Sequence, residues 1–315
     1  MDADRVAEAF GLGGGAVLSG GPVARGKQGE VWRLETGDGV FAVKVPFAPV
    51  AEADVRAAAE FQEAACVAGV PTPRICRTSE GDVFADAGDA WVRVYEWVDL
   101  LPPDPMLHPV LVGAALAAVH RVPDPDPDPG PVAEWYAEPV GAPRWDGLVR
   151  ALRAERAPFA AELAGLRDEL VALETWVAPP QRVQTCHRDL WADNLLPTVA
   201  GGVCVVDWEN SGPADPAYEL ACVLFEFAHG DAGRARTLVD AYTTAGGPAR
   251  ISGPSDFSML IAQLGHITAH AAEAWLGAAP GSPARADAAD WIGETITEPH
   301  SRRVLDDLLA AVGDG

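Results

Sequence analysis

Residues 186–208 constrain this chain more than any other stretch. They begin Cys186-His187-Arg188-Asp189-Leu190-Trp191-Ala192-Asp193-Asn194-Leu195 and close on Val205-Val206-Asp207-Trp208. One aspartate stands five residues before an asparagine, and a second, thirteen residues later, ends a short apolar segment. Phosphoryl transfer needs such a set: a carboxylate for the attacking hydroxyl, and an amide with a second carboxylate for a divalent cation. In an ordinary loop an Asp–Asn pair at this spacing is an N-cap or an Asx turn. The rest of the chain decides between the two readings.

Lysine is almost absent. There are 21 arginines but only Lys27 and Lys44, and only two asparagines, Asn194 and Asn210. A planar guanidinium is a poor substitute for a compact ammonium against phosphates. Aspartate does not replace a neutral amide ligand either, so Lys44 and Asn194 sit where this chemistry needs them. Ala24-Arg25-Gly26-Lys27-Gln28-Gly29-Glu30-Val31 follows the glycine-loop pattern G-x-G-x-x-G-x-V with Ala24 for the first glycine, and Gly26 and Gly29 are where backbone N–H groups would approach phosphate. Phe41-Ala42-Val43-Lys44 parallels the V-A-I-K strand of the same signature. Glu60, in the helix that follows, is the expected ion-pair partner of Lys44, with Glu63 as the alternative three residues on. The stretch from Val92 to Asp99 reads as a strand leaving its sheet, where the Glu96 carbonyl and the Val98 N–H would grip adenine. Backbone contacts of that kind do not separate ATP from GTP.

A chain of 315 residues, 49% apolar and 22% charged, has material for two lobes. Its net charge of −23 argues against nucleic acid and anionic membrane as partners. No apolar run reaches the ~18 residues of a membrane span. The acidic start Met1-Asp2-Ala3-Asp4 is not a signal peptide, and five cysteines without C-x-x-C spacing read as reduced thiols. The expected location is the cytoplasm. Oligomeric state has no signature.

Residues 2–10 read as a short helix ended by Gly11. Strands are expected at 17–25, 31–35, 40–45, 82–85 and 91–96, with a hairpin turn at Thr36-Gly37-Asp38-Gly39. One helix, 54–68, is inserted among them and stops at Gly69. Beyond Pro102-Pro103 the pattern is helical, at 107–121 and 161–177, separated by the alternating Pro-Asp tract 123–131, a stiff surface connector.

These residues resemble those of the aminoglycoside phosphotransferase family of small-molecule kinases, from about Ala24 to Ala221. The likeness is strongest at His187–Asn194, at Val205–Trp208 and at Asp215-Pro216-Ala217-Tyr218-Glu219-Leu220-Ala221, which resembles the family's G-D-P-x-x-D-L-A with Ala214 and Glu219 as departures. Ala118-Val119-His120 fits its helix ending in histidine. The resemblance implies an α+β, two-lobed, protein-kinase-like fold. A small, mainly antiparallel lobe with one helix would span 1–96, a hinge 97–101, and a larger, mostly helical lobe 102–315. It implies ATP and Mg²⁺ as cofactors, Asp189 as the catalytic base, Asn194 and Asp207 as metal ligands, and Asp215 as a brace for the catalytic loop. Eight positions separate Asp207 from Asp215, too few for an activation loop, so the acceptor should be a small hydroxylated molecule. An aminoglycoside or other cationic antibiotic is one class; choline, homoserine, methylthioribose or a glycated amine is the other. A nucleotide-binding pseudokinase that recruits a partner protein is the rival outside enzymes, favoured only by the missing first glycine. Gln263, His266, His270 and Glu273 share a helical face and, with Glu209, Glu226 and His229, are candidates for the acceptor site. Packing against another helix is the commoner explanation of such a face.

Overall fold

The computed structural model describes residues 1–26, 29–49, 51–88, 90–123, 130–297 and 300–313. Lys27 and Gln28 of the glycine loop, and most of the Pro-Asp tract, lie outside them. The first helix, α1 (Ala3–Phe10), is capped by the Asp2 carboxylate, which accepts from the Asp4 N–H at 3.0 Å, and ends on Gly11 at φ 62°. Its Val6, Ala7 and Phe10 pack on Leu34, Val43, Val92 and Val94, the apolar face of a sheet.

That sheet holds seven strands among the described residues: β1 (Val17–Leu18), β2 (Ala24–Arg25), β3 (Gly29–Thr36), β4 (Gly39–Pro46), β5 (Ile75–Cys76), β6 (Ala85–Asp86) and β7 (Trp91–Glu96). The order is β1-β3-β4-β7-β5, with β2 on β3 and β6 on β7, and every pairing is antiparallel. The strand expected over 17–25 is broken in two. Ser19 turns back through its hydroxyl to the Gly21 carbonyl at 2.7 Å, and Gly20-Gly21-Pro22 cannot keep a strand extended. The two-residue β5 follows Pro71-Thr72-Pro73 and is too short to show a period of two. Gly29 has a structural reason to be glycine: a Cβ there would meet the Val45 carbonyl of β4 at 2.6 Å.

One long helix, α2 (Glu52–Val67), crosses beside the sheet and buries Val55, Ala58, Ala59, Phe61, Gln62 and Ala65. After β7 the chain is tied to the second lobe: the Leu101 N–H donates to the Pro197 carbonyl at 2.8 Å and the Val199 N–H to the Asp99 carbonyl at 2.9 Å.

The second lobe is mostly helical: α3 (Pro109–His120), α4 (Glu134–Ala137), α5 (Ala142–Ala154), α6 (Ala160–Leu173), α7 (Pro216–Ala228), α8 (Ala232–Thr244), α9 (Ser258–Gly277), α10 (Pro283–Thr297) and α11 (Arg302–Val312). The helix expected over 161–177 ends early, passing into a 3-10 turn at Glu174–Trp176. One core joins α3, α7, α8 and α11; a second joins α5, α6, α9 and α10. Two small antiparallel pairs interrupt the helices: β8 (Gln184–Cys186) with β11 (Gly212–Ala214), and β9 (Leu195–Pro197) with β10 (Val203–Val205). They fix the ends of the loop that carries Asp189 and of the turn that carries Asp207. Among the described residues no helix is long and apolar enough to cross a membrane.

Candidate active site

The loop between β8 and β9 holds Asp189 and Asn194; the turn after β10 holds Asp207, Glu209 and Asn210. Both backbones are forced. Arg188 at φ 63° and Asp207 at φ 60° are two of four non-glycine residues with positive φ among those described. Such conformations survive where the surroundings over-determine them. Arg188 shows how: its guanidinium donates to the carbonyls of Asn210, Ser211 and Pro213 and lies over the Tyr136 ring at 4.2 Å. The arginine is thus a clamp between loop and turn.

Asp189 is held by both asparagines of the chain. Its Oδ2 accepts from Asn194 Nδ2 at 3.0 Å and from Asn210 Nδ2 at 2.9 Å. Asn194 Nδ2 also donates to the Asp189 carbonyl at 2.8 Å. Burial pushes the Asp189 carboxyl above the usual carboxylate range, with His187 and the two amides acting in the opposite sense. His187 is fully buried, shares a 3.0 Å hydrogen bond with the Val206 carbonyl, and has its imidazole held below its ordinary value by that burial. It ties the loop to β10 and lies edge-on to Trp208, ring centroids 4.9 Å apart.

The loop's brace differs from the sequence expectation. Asp215 caps α7, accepting from the Ala217 N–H at 2.9 Å, and receives the N–H groups of Gln181 and Arg182 ahead of β8. Glu219, one turn further on, takes the backbone N–H groups of His187 and Arg188. It also shares a 2.7 Å hydrogen bond with His120, which bonds Tyr242 at 2.8 Å. Burial works to raise the Glu219 carboxyl, but His120, His187 and the Arg188 N–H outweigh it and hold it low. The longer side chain from a buried helix reaches the loop, so Glu219 does the bracing assigned to Asp215.

Lys44 lies on β4, and the register sets it beside Arg93 on β7. Its Nζ meets Asp207 Oδ1 at 2.8 Å and Glu209 Oε1 at 2.6 Å. Neither α2 carboxylate is its partner. Glu60 is exposed, and Glu63 pairs with Arg77 through two 2.7 Å contacts. The face of α2 that turns inward carries Ala58, Ala59 and Gln62 instead, and Gln62 donates to the Pro73 carbonyl at 2.8 Å. Glu209, expected near the acceptor, is taken by the lysine and by Arg93. Trp208 between them is buried against Phe61 of α2 at 5.5 Å, and its indole N–H donates to Thr72 at 3.0 Å.

The remaining expected residues are placed as follows. The Gly26 N–H donates to the Gly29 carbonyl at 2.9 Å, closing the described ends of the glycine loop. Glu96 ends β7, and Val98 follows where the chain turns toward β9. Glu273 is ion-paired to Arg144 at 2.9 Å. His266 bonds the Glu138 carbonyl at 3.0 Å and stacks on Trp135. His270 is exposed, edge-on to Trp135 and Trp291. Gln263 donates to the Arg188 carbonyl at 3.2 Å, the one member of that helical face bonded to the catalytic loop. Glu226 accepts from the Ala192 N–H at 3.0 Å, and His229 shares a bond with the Pro105 carbonyl. Sequence reasoning missed Asn210 and Arg93. For Asn210 the signal was present: it is the only other asparagine and stands three residues after Asp207.

Oxygen donors of Asn194 and Asp207 suit a hard cation. Asn194 commits its Nδ2 to Asp189, which leaves its Oδ1 outside those bonds.

Comparison with known proteins bears on the family and the fold. Residues 20–253 match the model of the phosphotransferase enzyme family, APH. The fold is similar to that of an aminoglycoside phosphotransferase from Alicyclobacillus acidocaldarius subsp. acidocaldarius DSM 446, with a TM-score of 0.62 at 21% identity, covering 96% of this chain and 95% of that one. It is also similar to a spectinomycin phosphotransferase solved with ADP and spectinomycin, with a TM-score of 0.65 at 13% identity over 98% and 97% of the two chains. Thiamine kinase from Salmonella heidelberg (strain SL476) is 41% identical over 63 residues, 20% of this chain; the match spans about a fifth of that kinase, 21% of its length. With its two-lobed fold and a family match over most of its length, the chain belongs to the phosphotransferase enzyme family.

Proposed function

We propose that the protein transfers the γ-phosphate of ATP to a hydroxyl of a small cationic molecule, with Asp189 as the base. One observation carries this reading: both asparagines fix Asp189 Oδ2, leaving Oδ1 for the proton of an attacking hydroxyl. On this reading residues 1–96 hold the nucleotide, 97–101 form the hinge, and 102–315 supply the catalytic loop and the acceptor pocket. Gly26, Gly29 and Lys44 face the phosphates, and the backbone at Glu96 and Val98 faces the base. Asn194 and Asp207 would hold magnesium, which when bound supplies charge neutralisation to the phosphates. Asp189 orients the hydroxyl and receives its proton as the oxygen–phosphorus bond forms. Glu219 keeps the loop in position for that step.

Two relatives support a choice between two acceptor classes. The spectinomycin phosphotransferase supports a hydroxylated antibiotic, and the stretch shared with thiamine kinase supports a cationic metabolite bearing an alcohol. A thermal-shift screen with AMP-PNP and magnesium, over aminoglycosides, amino alcohols and thiamine, separates them. The expected result is a shift that needs both nucleotide and acceptor, followed by ADP release with ATP. Binding of acceptors without any magnesium-dependent turnover would contradict the reading in favour of a binding module.

A further inference from the structure

The β4–β7 register sets two cations side by side, Lys44 and Arg93, with side-chain exposures of 15% and 9%. Like charges directly across a strand pair repel, so the arrangement needs an anion. Glu209 Oε1 supplies it, 2.6 Å from Lys44 Nζ and 2.5 Å from an Arg93 Nη. Glu209 and Arg93 also line a cavity of about 10 Å³, together with Ala58, Ala59, Gln62 and Trp208. That is where a carboxylate from α2 would have to enter, and the helix presents methyl groups and an amide there.

We propose that Glu209, clamped by Arg93, is the residue that positions Lys44 for the nucleotide phosphates, in the place the sequence assigns to Glu60. The inference rests on the kinase reading above. An ammonium has three donors. One meets Asp207, one meets Glu209, and the third is available to phosphate. If Asp207 turns to a metal ion, Glu209 still holds the lysine. Arg93 stays charged at any working pH, and it keeps Glu209 from moving with the substrate. The lysine of the sheet is therefore anchored to the second lobe rather than to α2, so displacement of α2 does not release it.

The test compares the wild type with Glu209→Gln, Arg93→Met, the double variant and Glu60→Gln. Magnesium-dependent ATP hydrolysis, with kcat and KM for ATP measured separately, is read beside AMP-PNP affinity. Glu209→Gln should lower kcat/KM for ATP at least ~30-fold and Arg93→Met at least ~10-fold. Glu60→Gln should stay within about twofold. Because Arg93 acts through Glu209, its substitution should cost less than about twofold once Glu209→Gln is present. AMP-PNP affinity should fall in the same order, which keeps the test valid even if hydrolysis is too slow to follow. Should Glu209→Gln fail to fold, Glu209→Asp takes its place, since it keeps the charge and shortens the reach. Activity that survives Glu209→Gln, or falls with Glu60→Gln, overturns the positioning role. So does an effect confined to the magnesium activation constant, which would put Glu209 on the metal. Absence of wild-type turnover with every acceptor would strike the kinase reading alone, and the affinity order would still decide this one.

Discussion

Around Asp189, side chains and backbone groups join in one connected set of hydrogen bonds; along α4 and α9 the polar side chains meet single carbonyls or exposed partners. Asn194, Asn210, Glu219, His120 and Arg188 form a connected set with distances mostly between 2.6 and 3.0 Å. Glu273, by contrast, meets Arg144 on a surface where both side chains are more than 40% exposed. A reacting centre has to be held within a fraction of an ångström, whereas a pocket that selects an acceptor can be built from packing. On the proposed function, the phosphate side is thus specified by chemistry and the acceptor side by shape.

Substitutions can break or sharpen that contrast. The largest effect belongs to Asp189→Ala, which should lower kcat by ~10²–10⁴ while AMP-PNP binding persists. Asn210→Ala removes one of two amides from the same oxygen. A hydrogen bond to a charged group is worth about 1.5–3 kcal/mol, so kcat should drop roughly 10- to 100-fold and the melting temperature should fall with it. Glu219→Ala leaves His120 and two backbone N–H groups without their acceptor, and about 3–5 kcal/mol of stability should disappear in a denaturant melt. Glu219 also gives the phosphate side a pH signature. Its folded-state value lies below the ordinary 4.5. Its contribution is thus complete above that ordinary value and is lost as pH falls through the lowered one. Melting temperature should fall more steeply with acidification in the wild type than in Glu219→Gln. The smallest effect is Glu273→Gln: an exposed pair is worth about 0–1 kcal/mol, so stability and ATP constants should hardly move. A large loss of acceptor affinity in Glu273→Gln would show that the acceptor side, too, depends on fixed charges.

The legibility of the molecule divides along the same line. Lys44, Asp189, Asn194 and Asp207 stand out in the sequence because phosphoryl transfer restricts residue type and spacing, and the fold brings Lys44 to Asp207 at 2.8 Å and Asn194 to Asp189 at 3.0 Å. Helix ends at Gly11 and Gly69 were readable because glycine supplies the left-handed conformation, φ 62° and 86°. Glu60 misled because a carboxylate on α2 reads the same whichever way it points. Each position turns the helix by about 100°, and a sequence does not state that phase to within one residue. Glu209 was misplaced for a related reason: an acid after Asp-Trp looks like surface until Arg93 of β7, distant in sequence, is seen 2.5 Å from it. Glu219 against Asp215 is a matter of reach, one turn of helix and one methylene. Nothing local in the sequence encodes those distances.

The most direct test of the central claim is the identity of the product. With the acceptor found by thermal shift, ³¹P NMR of the reaction with ATP and magnesium should show ADP and a phosphomonoester coupled to a carbinol proton. The signal should form with the wild type and be lost with Asp189→Ala. Free phosphate alone, phosphate on nitrogen, or the same ester at an equal rate in Asp189→Ala would contradict the assignment.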